Sequence, residues 1–119
     1  MKFDNNIPIY IQLVEELKKY IISGHILPGE RLPSVREFAI DFKVNPNTMQ
    51  KSLQELESIG LIYTERTNGK YVTTDKKLID KYKKEYASDL SNKYFTSMES
   101  IGFTKEEVIE YLEKIGGIK

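Results

Sequence analysis

Cysteine and tryptophan are absent from this 119-residue chain, and histidine occurs once, as His25. Without cysteine there is no disulfide scaffold, no thiolate zinc or iron–sulfur site and no thiol nucleophile. A single imidazole does not build a multi-histidine metal centre. No apolar run approaches the roughly 18 residues of a membrane span, and the opening MKFDNNIPIYIQ is too polar for a secretory signal. The expectation is a cytoplasmic protein with no membrane association and no cofactor. Net charge is missing as well. Eighteen Lys and Arg oppose eighteen Asp and Glu, and a division at residue 74 leaves nine of each sign on both sides. Bulk charge therefore does not announce a nucleic-acid binder, and any such role must rest on local patches. The glycine spacing from Gly24 to Gly29 resembles that of a phosphate loop, but Glu30-Arg31 follow where Lys-Ser/Thr would be needed. No S-x-x-K pair occurs either, so the chain carries no recognisable enzyme chemistry.

What is present is strong helical periodicity. Ile7, Ile11, Val14, Leu17 and Ile21 recur at spacings of three and four, with Tyr10, Leu13 and Ile22 beside them, predicting a helix over 7–24. Pro8 suits its first position and Gly24 its end. Ser34 and Glu37 have capping-box spacing, opening a short helix to about Phe42 with Val35, Phe38, Ala39 and Phe42 inward. Asn45-Pro46 starts another, running to about Ile59, with Met49, Leu53, Leu56 and Ile59 on one face and Gly60 as its stop. Two short helices about a Lys43-Val44 turn make a helix-turn-helix. Residues 61–65 and 71–73 are strand-like, and Asn68-Gly69 between them signals a hairpin, placed as a wing.

From Lys76, the residues Leu78, Tyr82, Tyr86, Leu90, Tyr94 and Met98 form an i,i+4 ladder reaching Ile101, about 39 Å of helix. Thr104 and Glu107 repeat the capping box before a last helix with Val108, Ile109, Leu112 and Ile115 inward and Gly116-Gly117 as its end. The expected fold is mainly α with a small β-hairpin: a winged helix-turn-helix domain over 1–74 and a two-helix tail over 75–119. A tail of this size does not close a core alone. Its ladder, with Val108 and Leu112, is expected to pair with the same tail of a second copy.

Two stretches concentrate what DNA recognition needs. Residues 42–54 contain no acid and carry Lys43 and Lys51; residues 66–74 contain no acid and carry Arg66 and Lys70. Asn47, Gln50 and Arg36 have side chains able to bond base edges bidentately, while the lysines and Arg66 suit phosphate. Asn45 is accounted for mainly as a helix cap.

The run from Pro8 to Val72 resembles the winged helix-turn-helix domain of GntR-family transcriptional regulators. The matching pieces are Pro8-Ile9-Tyr10, Gly24, Pro28-Gly29-Glu30, Leu32-Pro33-Ser34, Arg36-Glu37, Val44 to Thr48 and Gly60-Leu61-Ile62. The short tail resembles the YtrA-like subfamily. The resemblance implies that Arg36 contacts DNA, that Asn45, Asn47, Thr48, Gln50 and Lys51 open the recognition helix, and that Tyr71-Val72 close the wing. Thr67 stands where the family wing has its first glycine, and Gly69 is retained.

The candidate DNA-binding set is therefore Ser34, Arg36, Asn45, Asn47, Thr48, Gln50, Lys51, Arg66, Asn68, Gly69 and Lys70. The expected function is a homodimeric, sequence-specific repressor on an inverted-repeat operator. A small-molecule effector is possible; it would need a pocket of about 300 Å³ or more, which a single tail can hardly enclose and a dimer interface could. The competing reading is an assembly module built on a winged helix that binds no DNA, against which the acid-free recognition stretch argues.

Overall fold

The computed structural model describes residues 2–116; Gly117, expected with Gly116 to end the last helix, lies outside them. Five helices and one hairpin follow in the order α1 (Ile9–Ile22), α2 (Val35–Phe42), α3 (Pro46–Ser58), β1 (Ile62–Glu65), β2 (Gly69–Val72), α4 (Lys76–Ser100) and α5 (Lys105–Ile115). Contacts divide the chain into two units, Met1–Lys83 and Lys84–Lys119, so the first two turns of α4 belong with the first.

In the first unit, Pro8 is the N-cap of α1 rather than its first helical residue, with φ −51° and ψ 136°. Its side chain offers no acceptor. Instead Gln12 reaches back: Nε2 donates to the carbonyls of Asp4 (2.7 Å) and Ile7 (2.8 Å), and Oε1 accepts from the Asp4 N–H. The buried stripe is Leu13, Val14, Leu17 and Ile21. Ile7 and Ile11, expected inward, are 42% and 41% exposed. Ile7 precedes the helix, and the stripe is centred on Leu13 and Leu17, which turns Ile11 toward its edge.

Helix α2 begins with the expected capping box. The Ser34 hydroxyl accepts from the Glu37 N–H at 3.2 Å, and the Glu37 carboxylate accepts from the Ser34 N–H at 3.4 Å. Phe38 and Ala39 are buried; Val35 and Phe42 are half-buried. The turn into α3 is made by Lys43, the one non-glycine residue with positive φ (56°) among those described. Asn45 caps α3, its side chain accepting from the Asn47 N–H at 2.7 Å, and Pro46 occupies the first turn. Met49, Leu53 and Leu56 pack with the α1 stripe, Leu61, Ile62 and Val72 in one core. Where α1 meets α3, the buried Ser52 hydroxyl lies 2.9 Å from the Thr48 carbonyl and 3.3 Å from that of Tyr10.

The hairpin pairs Ile62 with Val72, Tyr63 with Tyr71, Thr64 with Lys70 and Glu65 with Gly69. Asn68-Gly69 is therefore not a two-residue turn. The loop is Arg66-Thr67-Asn68, with the Asn68 N–H bonding the Glu65 carbonyl, and Gly69 opens β2 at φ 109°. A three-residue loop is the next most favoured hairpin connection, and here the positive-φ glycine follows it as the first residue of β2. The connector between α1 and α2 adds a further ribbon beside β2. The Gly29 N–H bonds the Val72 carbonyl, the Val72 N–H bonds the Glu30 carbonyl, and the Leu32 N–H bonds the Lys70 carbonyl. Arg31 bridges Tyr71 between them. A lone two-stranded hairpin is marginal, and this third ribbon supports it. Leu78, Ile79 and Tyr82 of α4 complete the unit by packing against its core.

In the second unit, the end of α4 and α5 meet through Gly102, at φ 99°. Thr104 forms the expected capping box with Glu107. Val108 is fully buried, Phe103 packs edge-on to Tyr111, and the Lys105 ammonium lies 6.0 Å from the Phe95 ring centre. Ile109, Leu112 and Ile115, expected inward with Val108, are 49%, 39% and 62% exposed, and Leu90 is 65% exposed. Two helices bury one line of contact between them, and one residue of α5 fills it.

Candidate nucleic-acid interface

Helix α3 presents its N-terminal half to solvent because its buried residues, Met49, Ser52, Leu53 and Leu56, all lie on the opposite face. Asn47 is exposed, and Thr48 and Gln50 are half-buried at the edge of that face. Lys51 is exposed, and its ammonium sits 3.9 Å from the centre of the Tyr10 ring on α1. This is a close cation–π contact, fixing the direction of a side chain that would otherwise sample many rotamers. Ile9, Tyr10, Asn47, Thr48 and Lys51 line one shallow depression. Tyr10 was not singled out for this role in the sequence; only its place beside the α1 stripe was legible.

A second depression, of about 320 Å³, opens between the start of α2 and the wing. Ser34, Arg66, Gly69 and Lys70 of the candidate set line it, together with Arg31 and Thr67. Arg36, Asn45, Gln50 and Asn68 line neither depression. Arg36 is exposed one residue into α2. The Asn45 side chain is committed to its cap, and the Asn68 amide donates to the Glu65 carboxylate at 3.3 Å.

Glu15 and Glu55 flank the Tyr10 side of the first depression, and three further acids near α2 and the wing are engaged. Glu37 closes the Ser34 cap, Glu65 holds Asn68, and Glu57 accepts from the Thr64 hydroxyl. Lys70 joins that last group: its ammonium donates to Thr64 Oγ1 at 3.0 Å and lies 3.8 Å from the Glu57 carboxylate. The bridge ties the last turn of α3 to both wing strands. Leu78 and Tyr82, expected at a subunit interface, instead pack on the first unit's own core. Among the described residues, no cluster of His, Cys, Asp or Glu could hold a metal, and no helix is long and apolar enough to cross a membrane.

Known proteins share this arrangement. The family model described as bacterial regulatory proteins, gntR family, matches residues 9–72. The HTH-type transcriptional regulator YhcF of Bacillus subtilis is 35% identical over 109 residues, 92% of this chain and 90% of that protein. The transcriptional repressor YtrA of the same organism is 43% identical over 70 residues, 59% of this chain and 54% of that protein. Among solved structures, a GntR family transcriptional regulator from Listeria monocytogenes superposes with a TM-score of 0.85 at 38% identity, covering 94% of this chain and 98% of that one. The AraR DNA-binding domain in complex with operator ORR3 superposes with a TM-score of 0.54 at 32% identity, over 61% of this chain and 88% of that one. A helix-turn-helix whose second helix is capped and acid-free through residue 54, a wing beside it and a model match over more than half the chain identify the protein as a member of the bacterial gntR family of transcriptional regulators.

Proposed function

We propose that this gntR-family regulator is a homodimeric repressor that binds inverted-repeat operator DNA and acts in the cytoplasm. The observation that carries the reading is the face of α3 that begins at Asn45. It is exposed, free of acids from residue 42 to 54, and pre-shaped by the Asn45 cap and the Lys51–Tyr10 contact. Asn47, Thr48 and Gln50 take the base edges, Arg36 enters beside them, and Lys51, Arg66 and the backbone at Ser34 take phosphate. Asn68 and Gly69 shape the wing tip, and Lys70 braces it. The AraR domain seated on its operator supports this use of the fold.

We assign DNA binding to residues 1–74 and dimerisation to 75–119, with the first turns of α4 anchoring the second to the first. Tyr86, Leu90, Tyr94, Met98 and Leu112 are the side chains we place at the subunit interface. The exposure of Leu90, Ile109, Leu112 and Ile115 in a single chain supports an interface there.

In vitro selection from a random DNA library tests the reading. Enriched sequences with two symmetric half-sites at fixed spacing are expected. No enrichment above a scrambled pool, with sedimentation showing a monomer, would overturn it.

A further inference from the structure

The connector ribbon places a cation beside the wing. Arg31 bridges Tyr71 across the ribbon, and the Leu32 N–H bond to the Lys70 carbonyl fixes the next residue. Its guanidinium lies along Gly69. A Cβ built on that glycine would come within 3.3 Å of Arg31 Nε and 3.4 Å of Nη2. The position is exposed, and it shares a depression of about 320 Å³ with Ser34, Arg66 and Glu65, whose carboxylate accepts from the Asn68 amide. Among the described residues no carboxylate pairs with Arg31. The neighbouring acid Glu30 is turned to the Leu27 N–H at 3.1 Å, and Lys70 is held by Glu57 and Thr64.

We infer that Arg31 binds a DNA phosphate beside the wing, a further contact supplied by the α1–α2 connector and pre-set by its strand pairing. The inference rests on the DNA-binding reading and adds to it. A planar guanidinium with five donors suits a phosphate fork. Its backbone is already fixed on β2, so little ordering remains when DNA arrives. Gly69 contributes by having no side chain where the guanidinium lies. The loss of the first wing glycine to Thr67 leaves the wing tip bulkier, and a cation on the neighbouring ribbon gives the flank of the wing a second attachment beside Arg66.

The test is a salt titration on the selected operator with the full chain, comparing wild type with Arg31→Ala, Arg31→Met and Arg31→Lys. Arg31→Ala and Arg31→Met are expected to reduce the log–log salt slope by about 0.9 for each half-site engaged, with base preference unchanged. Arg31→Lys is expected to keep the slope. Melting curves control for the fold; Arg31→Met retains the apolar stem, so a slope loss at native melting temperature isolates the charge. An unchanged slope in both charge-removing variants, while Arg36→Ala still weakens binding, sinks the Arg31 contact alone. A changed base preference at flanking positions also overturns it, because it indicates base readout. A wild-type chain that retains no DNA at low salt removes the inference together with the reading beneath it.

Discussion

The Tyr10 ring on the first helix faces the Lys51 ammonium on the recognition helix at 3.9 Å. Such a contact contributes about 0.5–1 kcal/mol at an exposed site. Its larger effect is on direction. Tyr10→Leu is expected to weaken operator binding while Tyr10→Phe leaves it near wild type, because the π face is kept. Lys51→Ala is expected to lower the salt slope by about one per half-site. Anisotropy titrations at several salt concentrations check all three.

Arg36 stands exposed at the start of the second helix, beside the Ser34–Glu37 cap. Arg36→Ala is expected to cost about 1–3 kcal/mol of operator binding and to relax the base preference at one position per half-site. The cap does not use the Arg36 side chain, so the melting temperature should stay within error. Repeating the selection with the variant reads out the lost position.

Glu57, Thr64 and Lys70 join the recognition helix to the wing. Lys70→Met is expected to cost up to about 1 kcal/mol of stability, as for a partly exposed ion pair, and to leave the salt slope unchanged. Chemical denaturation and salt titration on the same sample separate the two effects. A slope reduced as far as in Lys51→Ala would reassign Lys70 to the phosphate backbone.

Glu107 is a carboxyl of the last helix whose titration the fold shifts downward. The Thr104 backbone N–H, and then the Thr104 hydroxyl, hold its carboxyl below the usual carboxylate range. A carboxylate whose folded pKa is lowered stabilises the fold above its unfolded pKa. That contribution is lost as pH falls through the lowered value. Helicity and melting of the wild type should therefore decline below about pH 4, in the range of an ordinary glutamate. Glu107→Gln should decline less across the same window, which circular dichroism between pH 7 and pH 3 checks.

Local chemistry made much of this fold readable. The Ser34 and Thr104 capping boxes and the Asn45-Pro46 start involve residues within three positions of one another, and all formed as expected. The hairpin was readable but its loop was not, because the Asn68-Gly69 pair fits the centre of a two-residue turn or the exit of a three-residue one, and strand register decides between them. Periodicity names a face and not what covers it. That is why Ile11 and Leu112 emerged exposed, and why Leu78 and Tyr82 packed on their own chain. The candidate site divides the same way. Asn47, Thr48 and Lys51 were legible as neighbours on one helix. The Tyr10 ring under Lys51 and the Arg31 guanidinium on Gly69 were not, because each joins residues about 40 positions apart through tertiary packing.

The ribbon formed by residues 29–32 makes the connector unequal along its length. Leu27 is 58% exposed, and an extra residue inserted there would loop into water with little effect. The same insertion between Glu30 and Leu32 would shift the alternation by one, carry Leu32 (5% exposed) out of the core and turn its neighbour inward. Length variation among proteins of this shape should accordingly be tolerated before Gly29 and refused after it.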